Sequence, residues 1–277
     1  MTHPPTVLIT GATDGHGRAL AHRLAADGAT LLLHGRDQDR LDRTADDIRD
    51  THGVVRPRTV RADLAELEQV RSLAAEVRAT TPRLGVLVNN AGIGIGEPDG
   101  RDRRTSTDGH ELRFAVNYLA GFLLTLELCP LLRASAPARI VNVASIGQEA
   151  VDFDDLMLNH DYSGARAYRR SKLAQVASGF ALAERLPAAE VTVNSLHPAT
   201  FMPTKPVLSE AGYHIDSLED GVAATHRLVS DPALAATTGR FFDKLAEATA
   251  NAQAYDLAAR AELWRRSLEL VGHSGIV

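Results

Sequence analysis

One pattern constrains this chain more than any other. Short apolar runs rich in β-branched residues alternate with longer amphipathic stretches from one end to the other. The runs fall at 6–10 (TVLIT), 29–34 (ATLLLH), 54–62, 85–88, 139–144 (RIVNVA), 190–196 (EVTVNSL) and 239–242. Apolar runs of this length read as strands buried on both faces, the signature of a parallel sheet. The stretches between them carry helical spacing, such as Leu41, Ala45 and Ile48, or Leu67, Val70, Leu73, Ala74 and Val77. Strand–helix alternation with no linker, repeat or low-complexity segment predicts one α/β domain over residues 1–277. Its sheet should be doubly wound and mostly parallel, with helices on both faces.

The balance of 30 Lys+Arg against 35 Asp+Glu gives a formal charge of −5. That favours neither nucleic acid nor an anionic membrane as partner. Cys129 has no cysteine to pair with, sits in an apolar helical stretch, and reads as core in a reducing, cytoplasmic compartment. The first strand begins at Thr6, which leaves no room for a signal peptide, and no apolar run approaches membrane-spanning length.

The first strand runs into Thr10-Gly11-Ala12-Thr13-Asp14-Gly15-His16-Gly17, and a helical pattern follows. A glycine-rich turn between strand and helix lets a pyrophosphate approach the backbone and meet amide groups at the positive helix end. A plain glycine turn is the structural alternative. The second strand ends at His34-Gly35-Arg36-Asp37. A carboxylate at that tip would take the 2′-hydroxyl of NAD, and an arginine the 2′-phosphate of NADP. Arg36, with Arg18 just beyond the glycine turn, points to NADP(H) over NAD(H), although Asp37 and Asp14 bring negative charge to the same place. Asn89-Asn90-Ala91-Gly92 closes the fourth strand, where small residues leave room for a flat ligand. Ser145 follows the fifth strand and points to the crevice beyond the strand ends.

Tyr168 and Lys172 lie four apart in a stretch that reads as helix over 164–186, which places an ammonium beside a phenol. A free phenol has a pKa of about 10, and a neighbouring positive charge stabilises its phenolate. The pair is therefore a candidate acid/base. A long helix predicted over 108–132 carries Asn117. Three segments would wall a pocket: a polar loop at 94–107, a loop at 147–163, and a substrate-covering lid at about 201–217. The last contains Pro203, Pro206 and Gly212. Trp264, Leu268 and Leu270 give a C-terminal helix, about 254–271, its packing face.

Together the glycine turn, Asn89-Asn90-Ala91-Gly92, Asn117, Ser145, Tyr168 and Lys172 resemble the short-chain dehydrogenase/reductase family in order and spacing over nearly the whole chain. Gly35-Arg36-Asp37, Thr107-Asp108-Gly109-His110-Glu111 and the 23-residue step from Ser145 to Tyr168 resemble its retinol-dehydrogenase-like branch. The resemblance implies a Rossmann-like sheet of seven strands and an oxidoreductase that moves hydride between NADP(H) and a secondary alcohol or carbonyl. Tyr168 would be its general acid/base, Lys172 would hold the nicotinamide ribose, Ser145 the substrate oxygen, and Asn117 a relay water. Gly11, Gly15 and Gly17 would bracket the phosphates, with Thr13, Asp14 and His16 of the same turn also at the cofactor. Asp63 and Leu64 would flank adenine, with Asn90, Ala91 and Gly92 at its ribose and Pro198 and Thr200 at the nicotinamide. No metal is implied.

The chain departs from the family in having Pro198-Ala199 where Pro-Gly is usual. It also carries Glu97, Asp99, Arg101, Asp102, Arg103 and Arg104 where retinoid enzymes are apolar. A soluble enzyme on another small alcohol or carbonyl follows. The family often pairs as homodimers or homotetramers through the helices bearing Asn117 and Tyr168, where Ala120, Gly121, Ala174 and Ala177 are small. An NADP(H)-sensing regulator without turnover is the alternative. Such proteins commonly lose the tyrosine or the lysine, and this chain keeps both.

Overall fold

All seven apolar runs are strands of one sheet, and an eighth strand joins it at the edge. The computed structural model describes residues 4–96, 98, 100–204, 207 and 212–275. Glu97, Asp99 and much of the predicted lid (205, 206 and 208–211) lie outside the described residues. The strands are β1 (Thr6–Ile9), β2 (Thr30–Gly35), β3 (Arg58–Arg61), β4 (Val86–Asn89), β5 (Ala138–Val143), β6 (Val191–His197), β7 (Arg240–Asp243) and β8 (Ala246–Ala248). Their order is β3-β2-β1-β4-β5-β6-β7-β8, parallel from β3 through β7 and antiparallel only at β7–β8. This is the Rossmann-like class, with eight strands among the described residues where seven were expected. From β1 the chain winds outward through β2 and β3, then returns to start the other half at β4. A crevice opens at that reversal, beyond the ends of β1 and β4.

The helices are α1 (Gly15–Ala26), α2 (Gln38–His52), α3 (Leu67–Thr80), α4 (Leu112–Ala134), α5 (Gly164–Ala183), α6 (Leu218–Ser230) and α7 (Leu257–Val271). One core cluster packs α3, α4, α5 and α7 on one face of the sheet, and a second packs α1, α2 and α6 on the other. Four expectations change. Helix α4 has a mean hydropathy of 1.6 and is long enough to cross a membrane, so one apolar run does reach that length. It is a core helix, with 72% of its apolar window buried inside the fold. Helix α7 starts at Leu257, because Asp256 accepts from the amides of Ala258 and Ala259. The stretch before it holds β8, joined to β7 by a turn with Lys244 at φ 55°.

Third, α4 begins at Leu112 instead of 108. Gly109 turns the chain at φ 83°, and the Glu111 carboxylate accepts from the Phe114 amide as the cap. Finally, β3 is shorter than the 54–62 run. Val55 is 93% exposed, and Pro57 has no amide to give a neighbouring strand.

Candidate active site

The dinucleotide half of the crevice is built from backbone. Gly11 holds a φ of 67°, and a Cβ there would lie 2.9 Å from Ala91 Cα. A Cβ on Gly17 would run into the Gly11 carbonyl and lie 2.5 Å from Asn90 Nδ2. Close packing within the turn and against the end of β4 thus requires glycine at both positions, and the turn so formed sets backbone amides at the start of α1, where a phosphate can be held. Thr10 Oγ1 accepts from the amides of Asn90 and Ala91 at 2.9 and 3.0 Å, tying the glycine turn to the end of β4. Asn90 Nδ2 donates to the carbonyls of Thr10 and Gly11 at 2.8 and 3.2 Å. His16 is buried, with its ring turned away from the crevice towards Asn90 and α6.

At the tip of β2 the charges sort themselves by geometry. Asp37 caps α2, accepting from the Arg40 amide at 3.0 Å. Asp14 caps α1 and pairs with Arg40 Nη2 at 2.7 Å. Both carboxylates are thus engaged, and Arg36 is exposed beside them. Arg18, expected to face the cofactor, is paired with Asp47 of α2 at 2.6 Å. Arg40 is the cation that sequence reasoning missed: it stands one helical turn beyond Arg36 and also reaches the Thr13 carbonyl at 3.4 Å. Asp63 and Leu64 follow β3. The Asp63 carboxylate accepts from Ala65 N at 2.9 Å, and Leu64 is buried in the core.

The second half of the crevice gathers Asn117, Ser145, Tyr168 and Lys172. Lys172 Nζ lies 5.7 Å from the Tyr168 ring centroid and donates to the Val143 carbonyl at 2.8 Å. Burial pulls its pKa down from 10.5 to about 8. A Cβ on Gly92 would lie 3.2 Å from Asn117 Oδ1 and 3.7 Å from Lys172 Nζ, so the β4 turn, α4 and α5 converge there. Asn117 Oδ1 accepts from Ile93 N at 2.8 Å, and its Nδ2 donates to Ser171 Oγ at 3.1 Å. It sits in a π-turn, Ala115–Leu119, within α4. Such turns release a carbonyl from the regular ladder and gather at functional sites.

Ser145 Oγ accepts from Gly147 N at 3.0 Å, and the Glu149 amide reaches the Arg169 carbonyl at 3.4 Å, which lays 145–149 along α5 beside Tyr168. Beyond β6, Pro198 is buried, and Thr200 N donates to Asp216 Oδ2 at 2.6 Å.

The wall facing this group rests on a residue the sequence reading passed over. Arg113 is fully buried. It donates to the carbonyls of Gly94 and Ile95 and to Tyr162 Oη, each at 2.7 Å. Tyr162 in turn donates to Glu111 Oε1 at 3.1 Å. A single cation within the apolar start of α4 was the available signal, since a charge is buried only when paired. Among the described residues no cluster of His, Cys, Asp or Glu could hold a metal. Of the small residues expected at a subunit interface, Ala120, Ala174 and Ala177 are buried in the chain's own core, and Gly121 is half-buried.

A glycine turn at a sheet's switch point, beside a buried lysine and a tyrosine one turn apart, is the arrangement of a dinucleotide-binding α/β protein with a candidate acid/base pair at the strand ends. The comparisons carry this further. A family model described as short chain dehydrogenase matches residues 5–208. Retinol dehydrogenase 13 of Mus musculus is 35% identical over 290 residues, covering 96% of this chain and 84% of the mouse protein. DnrU of Streptomyces, assigned as a daunorubicin C-13 ketoreductase, is 35% identical over 96% of this chain and 92% of its own. Among solved structures, a short chain dehydrogenase of Escherichia coli CFT073 complexed with NADPH superposes with a TM-score of 0.70 at 26% identity, over 87% of this chain and 96% of that one. The chain belongs to the short-chain dehydrogenase/reductase family, in its retinol-dehydrogenase-like branch, and is an oxidoreductase acting on CH–OH groups.

Proposed function

We propose that the chain is an NADP(H)-dependent oxidoreductase that interconverts a secondary alcohol and its ketone, with Tyr168 as general acid/base. When bound, the cofactor supplies or accepts the hydride; the chain's residues supply orientation and a proton route. In the reducing direction the Tyr168 hydroxyl gives its proton to the carbonyl oxygen. In the oxidising direction the ring oxygen takes the alcohol proton. A positive charge on Lys172, 5.7 Å from the ring centroid, favours the more negative state of that oxygen. Ser145 donates to the substrate oxygen where negative charge develops. Asn117 links Lys172 to solvent by a relay that passes the π-turn backbone. Arg36 and Arg40 receive the 2′-phosphate of NADP, and the nearby carboxylates are already capped or paired. The NADP and NADPH complexes among structural relatives support the same cofactor.

The observation that carries the reading is the buried Lys172 ammonium against the Tyr168 ring at the strand ends. The substrate is a small carbonyl or alcohol met by the segments at 94–107, 147–163 and 201–217, in a single domain acting in the cytoplasm. The test is Tyr168→Phe, followed by NADPH oxidation with a panel of ketones. Cofactor binding should persist while turnover falls by about 10²-fold or more. Turnover at the wild-type rate on a substrate the wild type reduces would reject the assignment.

A further inference from the structure

The buried His16 is not accounted for by any role above. It opens α1 at the heart of the glycine turn, yet its ring packs between two distant parts of the chain. Nδ1 lies 2.8 Å from Asn90 Oδ1. Nε2 lies 3.0 Å from Thr225 Oγ1 and 3.1 Å from the Gly221 carbonyl, both on α6.

The hydrogen positions follow from the neighbours. Asn90 Nδ2 already donates to the Thr10 and Gly11 carbonyls, so the oxygen of that amide faces His16. An oxygen there can only accept, so Nδ1 carries a proton. Burial lowers the pKa of His16, which keeps the ring neutral near pH 7 and leaves Nε2 an acceptor; the Thr225 hydroxyl, 3.0 Å from both Nε2 and the Gly221 carbonyl, then gives its one proton to Nε2.

The far end of this bridge is the stem of the substrate-side loop. Helix α6 begins at Leu218, directly after that loop, with Ser217 and Asp220 in a reciprocal cap. The stem is stitched across by Ile215 N to Phe201 O at 3.1 Å and Asp216 N to Thr200 O at 3.0 Å. A Cβ on Gly221 would strike Met202 Sδ and lie 3.3 Å from His16 Cδ2 and 3.5 Å from Ala199 Cβ. The first turn of α6 therefore closes on His16 with no space between them.

We propose that His16 is a positioning residue that couples the two halves of the site: its Nδ1 sets Asn90 and the glycine turn for the dinucleotide, and its Nε2 anchors the substrate-loop stem through the Thr225 hydroxyl of α6. The first half of this statement rests on the dinucleotide site proposed above; the second does not. The coupling makes the order of the loop stem depend on the same ring that holds the cofactor turn.

The two nitrogens can be separated. Asn reproduces the Nδ1 position of histidine and Gln the Nε2 position, while Phe fills the volume and offers neither. His16→Gln should weaken NADPH affinity about tenfold more than His16→Asn does, the effect of one well-placed hydrogen bond. His16→Asn should speed amide hydrogen exchange in residues 218–225 of the cofactor-free protein more than His16→Gln does. His16→Phe should lose on both readouts, with circular dichroism reporting whether it folds. A crossed pattern between the Asn and Gln variants supports the coupling role. If the two variants move both readouts together, or move neither, His16 is packing alone and the proposal fails. Should the wild type not bind NADPH, the functional reading falls by itself, and the exchange measurement still decides the contact with α6.

Discussion

Replacing Lys172 by Met should abolish turnover and, at neutral pH, make the cofactor-free protein more stable. Lys172 is 5% exposed, and burial lowers its pKa from 10.5 to about 8. Between these values the unfolded chain holds a proton that the folded chain has released, so the stability of the wild type rises with pH across that window. Below about pH 8 both states are protonated and the folded state bears the whole cost of the buried charge, about 3 kcal/mol. Met removes that cost and fits the same channel. It also leaves the Val143 carbonyl without its 2.8 Å donor, a loss of about 1–3 kcal/mol. The net gain at pH 7 is about 1 kcal/mol, or about 2–4 °C in Tm. Above about pH 10.5 neither state is charged, and only the lost hydrogen bond remains, so the variant becomes the less stable protein. Urea unfolding of both proteins from pH 7 to 10.5 measures this directly. The expected result is a crossing of the two stability curves. Parallel curves would refute the claim that burying the Lys172 charge costs stability.

Three further outcomes follow from the geometry. Arg113→Met leaves Glu111 and the Gly94 and Ile95 carbonyls without their buried partner, a loss of about 3–5 kcal/mol. Differential scanning calorimetry should show Tm lower by about 10 °C, and an unchanged Tm would mean that the network is not what holds this wall. Gly17→Ala forces the turn apart at the Gly11 carbonyl, at a cost of about 1–3 kcal/mol. NADPH titration should show affinity weaker by about ten- to a hundredfold, with Tm lower by about 2–12 °C. Arg36→Asp should reverse the preference from NADP to NAD in kcat/KM. If the wild type already used both equally, Arg36 would have no part in the selection.

How much of this was legible in the sequence varies from element to element. Strands β1, β2, β4, β5 and β6 stood out because strands covered on both faces are short runs rich in apolar and β-branched residues, as in Val86–Asn89, although β6 also buries Thr192, Asn194, Ser195 and His197. The strand Ala246–Ala248 was hidden because Ala and Glu favour helix, and only the turn at Lys244 and the free edge of β7 draw it into the sheet. The spacing of Tyr168 and Lys172 could be read because it lies within one helix. The π-turn around Asn117 could not, since it depends on that side chain meeting the backbone of Ile93 from another element.

Charge at the cofactor end shows why a residue list misleads there. Counted along the sequence, Asp14 and Asp37 oppose a 2′-phosphate and Arg18 favours one. In three dimensions a carboxylate that caps a helix is turned to that helix's amides, where the dipole already stabilises it. Asp37 faces the start of α2, while Asp14 caps α1 and is also neutralised by Arg40 at 2.7 Å. Arg18 is held 2.6 Å from Asp47, outside the crevice. What remains at the tip of β2 is Arg36, exposed beside the Arg40–Asp14 pair. A dianionic phosphate arriving there would compete with one carboxylate for Arg40 and meet Arg36 outright. Removing Asp14's charge as Asp14→Asn, which keeps a capping oxygen, should therefore tighten NADP binding without tightening NAD. Equal gains for both cofactors would place the Arg40–Asp14 pair outside the phosphate site.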